Sequence, residues 1–428
     1  MLLIILGSLV LIIVIYACFI NRIKGLPSGP PPLPFIGNIY LFKGDLLDVF
    51  EGWKKKYGDV FTVWMPRPVI FLTTKETLQD ALINQAEAFS GRPLGMEAMK
   101  MVYGGRYGLV FEDNAIWKDQ RRFALHTLRE LGFRSEGLQD AIVSLAAEVV
   151  ERMKEEEGKE VELRPFFMFA VSNVIWHLTF GRMLKFGDPL FYEVKKDLDE
   201  IMELIVHPGM LLIELNPKLV ILDPLLGSPM KRQLTANDRM IKILNNEIDQ
   251  IEASLEMDSP PKSYVEAFLQ EMKRNELAGK DAGSFTRHQM LFASYDMWAA
   301  GFETTVSTLR YAFFHLMTHP RVQEKMQEEI KREIGGRAIR MEDQKVLPYC
   351  CAVIQEVQRI TVFSAINVSH CTVAEAQVAG YSLPVGTDVM PELQLVHMDE
   401  NEFERPKYFC PERHINENGE FVKVAFFE

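Results

Sequence analysis

A short run inside a helical pattern, Ala300-Gly301-Phe302-Glu303-Thr304-Thr305, holds a glycine, an acid and two hydroxyls. Intrinsic helix propensity would favour only the acid among these, so the run needs another reason to be there. Gly301 has no side chain and leaves room beside the helix for a flat cofactor. A threonine hydroxyl bonded back to a carbonyl one turn earlier loosens the helical ladder, and such a notch could hold oxygen or water. Glu303 beside the Thr304 hydroxyl then makes a proton-delivery pair, because protonation of bound dioxygen needs positioned donors. The same residues equally suit a helix kink at a packing contact.

Two further spacings carry charge. In Glu356-Val357-Gln358-Arg359 the acid and the arginine lie i, i+3 on one helix face and can pair, though such pairs are common on solvated faces. Pro411-Glu412-Arg413 supplies a second arginine able to reach the same glutamate and staple the C-terminal region to that helix. Trp117 and Arg121 stand four apart, so the indole N–H and the guanidinium project together and could converge on a carboxylate-bearing ligand. A surface cation–π pair is the alternative.

These side chains need helices to hold them, and the hydrophobic periodicity predicts helices over 114–131, 137–156, 165–179, 191–206, 235–255, 264–275, 286–317 and 321–334. Strands are expected at 60–64 and 69–73, as a hairpin, and at 367–372 and 388–390. The fold class expected is mainly α with small β-sheets. The stretch 205–229 is apolar but broken by four prolines and two glycines, so it is not one long helix. It suits either a membrane-dipping lid or short elements packed on the core.

The chain has 428 residues, 48% of them hydrophobic, enough for one large core or two lobes. Its net charge of -12, with 47 basic against 59 acidic residues, argues against a nucleic-acid partner. Five cysteines without Cys-x-x-Cys spacing suggest neither a disulfide framework nor a zinc site. Residues 1–20 carry no charge and match the roughly 20 residues a helix needs to span a bilayer. Arg22 and Lys24 follow them, which leaves the body on the cytoplasmic side of an uncleaved anchor, the expected reading; a cleaved signal peptide is the alternative. Residues 21–38 read as a basic, proline-rich hinge, and 39–428 as the catalytic body.

In this order, the apolar anchor, the proline-rich hinge, Phe89-Ser90-Gly91-Arg92, Gly108-Leu109-Val110-Phe111, Trp117-x-x-x-Arg121, Ala300 to Thr305, Glu356-x-x-Arg359 and Pro411-Glu412-Arg413 resemble the microsomal animal members of the cytochrome P-450 superfamily. The resemblance implies a haem-thiolate monooxygenase fold anchored in the endoplasmic reticulum membrane. It implies haem b, electrons from NADPH through NADPH-cytochrome P-450 reductase with cytochrome b5 as a further partner, and a lipophilic substrate such as a xenobiotic, steroid or fatty acid. It makes Arg92, Trp117, Arg121 and His370 the holders of the haem propionates, Thr304 and Glu303 the oxygen-activating pair, and Glu356, Arg359 and Arg413 a structural triad. Val110, Phe111, Ala300 and Val368 resemble pocket-lining positions.

The family continues past Pro-Glu-Arg to a loop of the form Phe-x-x-Gly-x-Arg-x-Cys-x-Gly, whose thiolate binds iron, and to a proximal helix. The chain is expected to be truncated before both, with no metal ligand of its own, since Cys350, Cys351 and Cys410 are poorly placed to substitute. The alternative function is then an inactive isoform acting as a membrane-bound binding protein. A haem-thiolate isomerase or dehydratase is disfavoured because Glu303 and Thr304 are both present.

Overall fold

The computed structural model of the chain describes residues 11, 25–33, 37–65, 67–93, 97–132, 136–186, 188–205, 207–215, 217–361 and 367–424. In chain order its elements are α1 (Leu46–Tyr57), β1 (Val60–Met65), β2 (Arg67–Leu72), α2 (Lys75–Gln79), α3 (Glu97–Tyr103), α4 (Asn114–Glu130), α5 (Glu136–Glu155), α6 (Arg164–Phe180) and α7 (Pro189–Ile205). There follow α8 (Pro208–Leu215), α9 (Pro229–Ala253), α10 (Tyr264–Leu277), α11 (Arg287–Thr318), α12 (Pro320–Glu333) and α13 (Pro348–Ile360). The last are β3 (His370–Cys371), β4 (Ala376–Val378), β5 (Tyr381–Leu383), β6 (Asp388–Pro391) and α14 (Leu393–His397). The expected class, mainly helical with small sheets, is what forms, and all eight expected helices are present with ends shifted by a few residues.

The chain divides into two compact units, Met1–Gly95 with Ser364–Lys407, and Met96–Phe363 with Tyr408–Glu428. The first holds every named strand. Its four-stranded sheet runs β1-β2-β6-β3, with β1 and β2 an antiparallel hairpin in the register Val63↔Val69 and β2 parallel to β6 at Ile70↔Val389. The expected strand at 367–372 shrinks to His370–Cys371, which pairs antiparallel with β6. One face of the sheet packs on α1, where Phe61 stacks on Phe71 at 5.4 Å and Phe50 meets Phe71 edge-on at 5.1 Å. All three rings are fully buried, each contributing about 2 to 3 kcal/mol of apolar transfer.

The proline-rich segment lies along β1. Thr62 N–H donates to Ser28 O at 3.1 Å and Trp64 N–H to the Asn38 side chain at 2.8 Å. A Cβ on Gly29 would stand 1.9 Å from Thr62 O, so only glycine permits this approach. The expected anchor, 1–20, lies outside the described residues apart from Leu11, and no described helix is long and apolar enough to cross a membrane.

The second unit is helical and centred on α6. Its sequence, RPFFMFAVSNVIWHLTF, is apolar on every face, and such a helix must be enclosed by others. Gly181 ends it in the left-handed region (φ +79°), donating to His177 O at 2.8 Å. The long α11 packs beside it, with Phe167 against Phe313 at 4.9 Å. The side chain of Thr286 caps α11 by accepting from Gln289 N–H.

In the stretch 205–229 the prolines begin helices more often than they break them. Pro208 starts α8, Pro217 starts a 3-10 helix running to Leu226, and Pro229 starts α9 six residues before the expected position. A first-turn proline loses no hydrogen bond, because those N–H groups have no partner inside the helix. Ile221 and Leu225, on the 3-10 helix, are about four-fifths exposed.

Candidate functional site

The best-formed polar cluster centres on Glu356 in α13. Pro348 occupies the first turn of this helix, and the Glu329 carboxylate from α12 caps it by accepting from Tyr349 N–H at 3.0 Å and Cys350 N–H at 2.8 Å. One turn on, Glu356 and Arg359 are both fully buried. Arg359 binds the carboxylate in a fork, Nε to Oε2 and Nη2 to Oε1, each at 2.8 Å. Arg413 Nε reaches Oε1 at 3.2 Å, and Cys410 N–H reaches the same oxygen at 3.0 Å. Both guanidiniums also donate to Tyr408 O, Arg359 at 3.4 Å and Arg413 at 3.2 Å, which ties the C-terminal segment to α13. Burial by itself would raise the Glu356 carboxyl; the bonds from Arg359 and His414 outweigh it and hold the group at about 2. The three residues of the expected triad are thus brought together.

His414 and Gln355 also belong to the cluster and were missed in the sequence. His414 Nε2 lies 2.9 Å from Glu356 Oε2 and its Nδ1 lies 3.0 Å from Gln355 Nε2. A histidine directly after the Pro-Glu-Arg element was the available signal.

On α11 the Thr304 hydroxyl donates to Ala300 O at 2.8 Å, the back-bond expected at this position, and the residue is exposed. Glu303 points elsewhere: its Oε2 accepts from Arg164 Nη2 at 2.9 Å, and Arg164 Nη1 binds Asp199 at 2.6 Å. Gly301 differs from expectation. A Cβ there would stand 2.9 Å from Ile175 Cδ1, so the missing side chain serves the close approach of α6 and α11, the packing alternative left open above.

Asp296 is a lone acid in the apolar run MLFASYDMWAA of α11, a position that no motif in the sequence marks. It is buried and accepts from Tyr103 OH at 2.5 Å, Leu109 N–H at 2.6 Å and Val110 N–H at 2.9 Å. Gln289, two turns earlier, binds both backbone groups of Gly108, accepting its N–H at 3.0 Å and donating to its carbonyl at 2.9 Å. Burial drives the Asp296 carboxyl up to about 6 despite these three donors. The clamp fixes the backbone that carries Val110 and Phe111, and Phe111 packs edge-on against Tyr103 at 5.5 Å. Ala300 is exposed on α11, while Val368 is about half exposed in the first unit.

Each unit offers a cationic group to an anion. In the first, Arg92 Nη1 lies 3.4 Å from His370 Nδ1, which sits 2.8 Å from Phe89 O. The shorter contact assigns the Nδ1 proton to Phe89 O, so the neutral ring has no N–H left to give. Burial lowers the His370 pKa further, with Arg92 adding to the effect. In the second unit the Arg121 guanidinium sits 5.4 Å from the Trp117 ring, and both line an open cleft of about 1120 Å³ between α4 and α10.

The described cysteines are engaged elsewhere. Burial pushes the Cys350 thiol up to about 12 and raises that of Cys351, while the Cys410 backbone is pinned to Glu356. Cys371 is buried in β3 and exchanges backbone hydrogen bonds with Gly91. Among the described residues no cluster of three or more His, Cys, Asp or Glu could hold a metal ion. Within the second unit, Trp117 and Arg121 are donors that suit the carboxylates of a planar cofactor, and the exposed Thr304 hydroxyl lies on a face of α11 flanked by the small Ala300.

A sequence model of the cytochrome P450 family matches residues 27–427. The chain is similar to the probable cytochrome P450 CYP36A1 of Caenorhabditis elegans, 37% identical over 97% of this chain and 85% of that protein. It is similar to cytochrome P450 2H1 of Gallus gallus, 32% identical over 94% of this chain and 80% of the relative. Cytochrome P450 2B19 of Mus musculus is 32% identical over 92% and 79% of the two chains.

Proposed function

The chain belongs to the cytochrome P450 family, and from that premise we propose that it serves as a membrane-associated haem monooxygenase acting on a lipophilic xenobiotic, steroid or fatty acid. The family carries haem-dependent monooxygenation with a redox partner as electron source. We take that source to be NADPH through a separate cytochrome P450 reductase, with cytochrome b5 as a second donor, and the location to be the endoplasmic reticulum.

The observation that carries the reading is the Thr304 hydroxyl, held against Ala300 O on an exposed face of α11. Haem, when bound, supplies the reductive activation of dioxygen. Thr304 Oγ1 is the group proposed to hold a proton donor in register, since its bond to Ala300 O fixes the hydroxyl and leaves its lone pairs to accept from water. Glu303 is the proposed proton source one residue away. Its pairing with Arg164 in this structure makes release from that arginine a condition of its role. Arg92, Trp117 and Arg121 are proposed to hold the haem carboxylates, with His370 joining them only with its ring protonated, since its Nδ1–H is given to Phe89 O in this structure, and Val110, Phe111, Ala300 and Val368 to line an apolar pocket.

The test is turnover of the reductase-reconstituted chain with isotopic dioxygen and a panel of lipophilic substrates. Label in the product supports the reading. Thr304→Ala is expected to lower product formed per NADPH oxidised by about tenfold or more, the usual scale of a positioned proton donor. Equal coupling in the variant and the parent would remove Thr304 from the mechanism.

A second reading, a binding protein without turnover, is favoured by the engagement of the four described cysteines. The reduced, carbon monoxide-bound spectrum bears on the choice: a thiolate-type Soret band removes the observation that favours the second reading, and its absence supports that reading.

A further inference from the structure

We propose that His414 is a positioning residue that completes the Glu356 cluster as a fourth member. The bonds on the carboxylate are unevenly shared. Oε1 receives Arg359 Nη2, Arg413 Nε and Cys410 N–H, whereas Oε2 receives only Arg359 Nε and His414 Nε2. A carboxylate offers about four acceptor positions, so without His414 one side of a fully buried anion is left with a single donor. The ring is held at both ends. Gln355 Nε2 can only donate, so Nδ1 accepts and Nε2–H is the proton given to Glu356. The ring adds direction, and the positive charge comes from the two guanidiniums.

His414 lies in the single 3-10 turn Pro411–His414, where successive side chains are about 120° apart. Glu412 turns to Lys325 Nζ (2.6 Å) and Tyr349 OH (3.0 Å), Arg413 to Glu356 and Tyr408 O, and His414 to Glu356 and Gln355. The next residues leave as a tight hairpin, Ile415 bridged to Phe421, and Val422 N–H donates to His414 O at 2.8 Å. Its side chain therefore sets the Glu356 rotamer while its backbone starts this hairpin. Any bearing on haem rests on the family reading; the hydrogen bonds do not.

The test compares His414→Gln, His414→Asn and His414→Phe in the full chain by amide exchange at Cys410 and Val422, with thermal unfolding alongside. Glutamine can place an N–H where Nε2 stands, asparagine only near Nδ1, and phenylalanine fills the volume without a donor. Expected is near-parental exchange at the Cys410 amide in His414→Gln and roughly tenfold or faster exchange in the other two, the effect of one lost hydrogen bond to a buried charge. Phenylalanine protecting as well as histidine, or glutamine failing as badly as phenylalanine, would overturn the proposal in favour of packing alone. Should no variant fold, nitrogen-15 spectra of the imidazole in the parent chain still decide. A ring protonated at Nε2 supports the arrangement, and one protonated only at Nδ1 refutes it.

Discussion

At the scale of single residues, Glu356 and Asp296 are two buried acids with opposite fates. Glu356 meets two guanidiniums and stays ionised far into acid, whereas Asp296 meets only neutral donors and is raised by burial. Glu356→Gln leaves the buried Arg359 and the partly buried Arg413 guanidiniums facing an amide. It is expected to cost roughly 3 to 5 kcal/mol in chemical denaturation, the penalty for breaking one partner of a buried pair. Because its folded pKa is depressed, the Glu356 contribution is present above 4.5 and lost as pH falls through about 2. Asp296 has the reverse sign. The folded chain holds its proton up to about pH 6 against 3.8 for the ordinary carboxyl, so its contribution is full below the lower value and lost as pH rises through the upper. Asp296→Asn should flatten that part of the stability curve while keeping an acceptor for Leu109 and Val110; an unchanged slope would count against the assignment. Glu356, Arg359 and Arg413 were legible because short spacings and an unusual motif marked them. Asp296, Gln289 and the Arg164–Glu303 pair were not, because the partners lie 139 to 193 residues apart in sequence, a distance that periodicity does not report.

Among the elements, the helices were legible wherever an apolar stripe at helical spacing was long, as in α4, α5, α10 and α11. The exceptions share a cause. Proline was read as a breaker at 208, 217 and 229, yet each stands in the first turn, where its missing N–H costs nothing. Gly301 was read as space for a cofactor, although glycine in a helix serves a close neighbour equally well, and here that neighbour is Ile175 of α6. The distinction is measurable. Gly301→Val should destabilise the fold by about 1 to 3 kcal/mol through overpacking, and adding Ile175→Ala should return part of the loss. Strict additivity of the two changes would show that the contact does not govern the position. A short strand such as His370–Cys371 was overestimated in length because β-branched neighbours mark propensity, while pairing is decided by the partner strand β6.

At the scale of the whole molecule, the composition pointed to a large helical body with acidic charge, and the chain folds as two units of unequal size. The division was not visible beforehand, because the first unit is assembled from stretches far apart in sequence, residues up to 95 and 364–407, which the β2–β6 pairing and the Gly91–Cys371 bridge join. The polar features divide likewise. Arg92 and His370 belong to the first unit, while Trp117, Arg121, Thr304 and the Glu356 cluster belong to the second. Haem uptake is what we propose for this chain, and titration of the folded 428-residue chain with haem, followed at the Soret band, tests it most directly. Uptake is expected to saturate at about one haem per chain and to weaken by roughly tenfold when Arg92 or Arg121 becomes alanine, the loss of one charge-assisted contact. A chain that circular dichroism shows to be folded, yet takes up no haem or takes it up equally well in both variants, would contradict it.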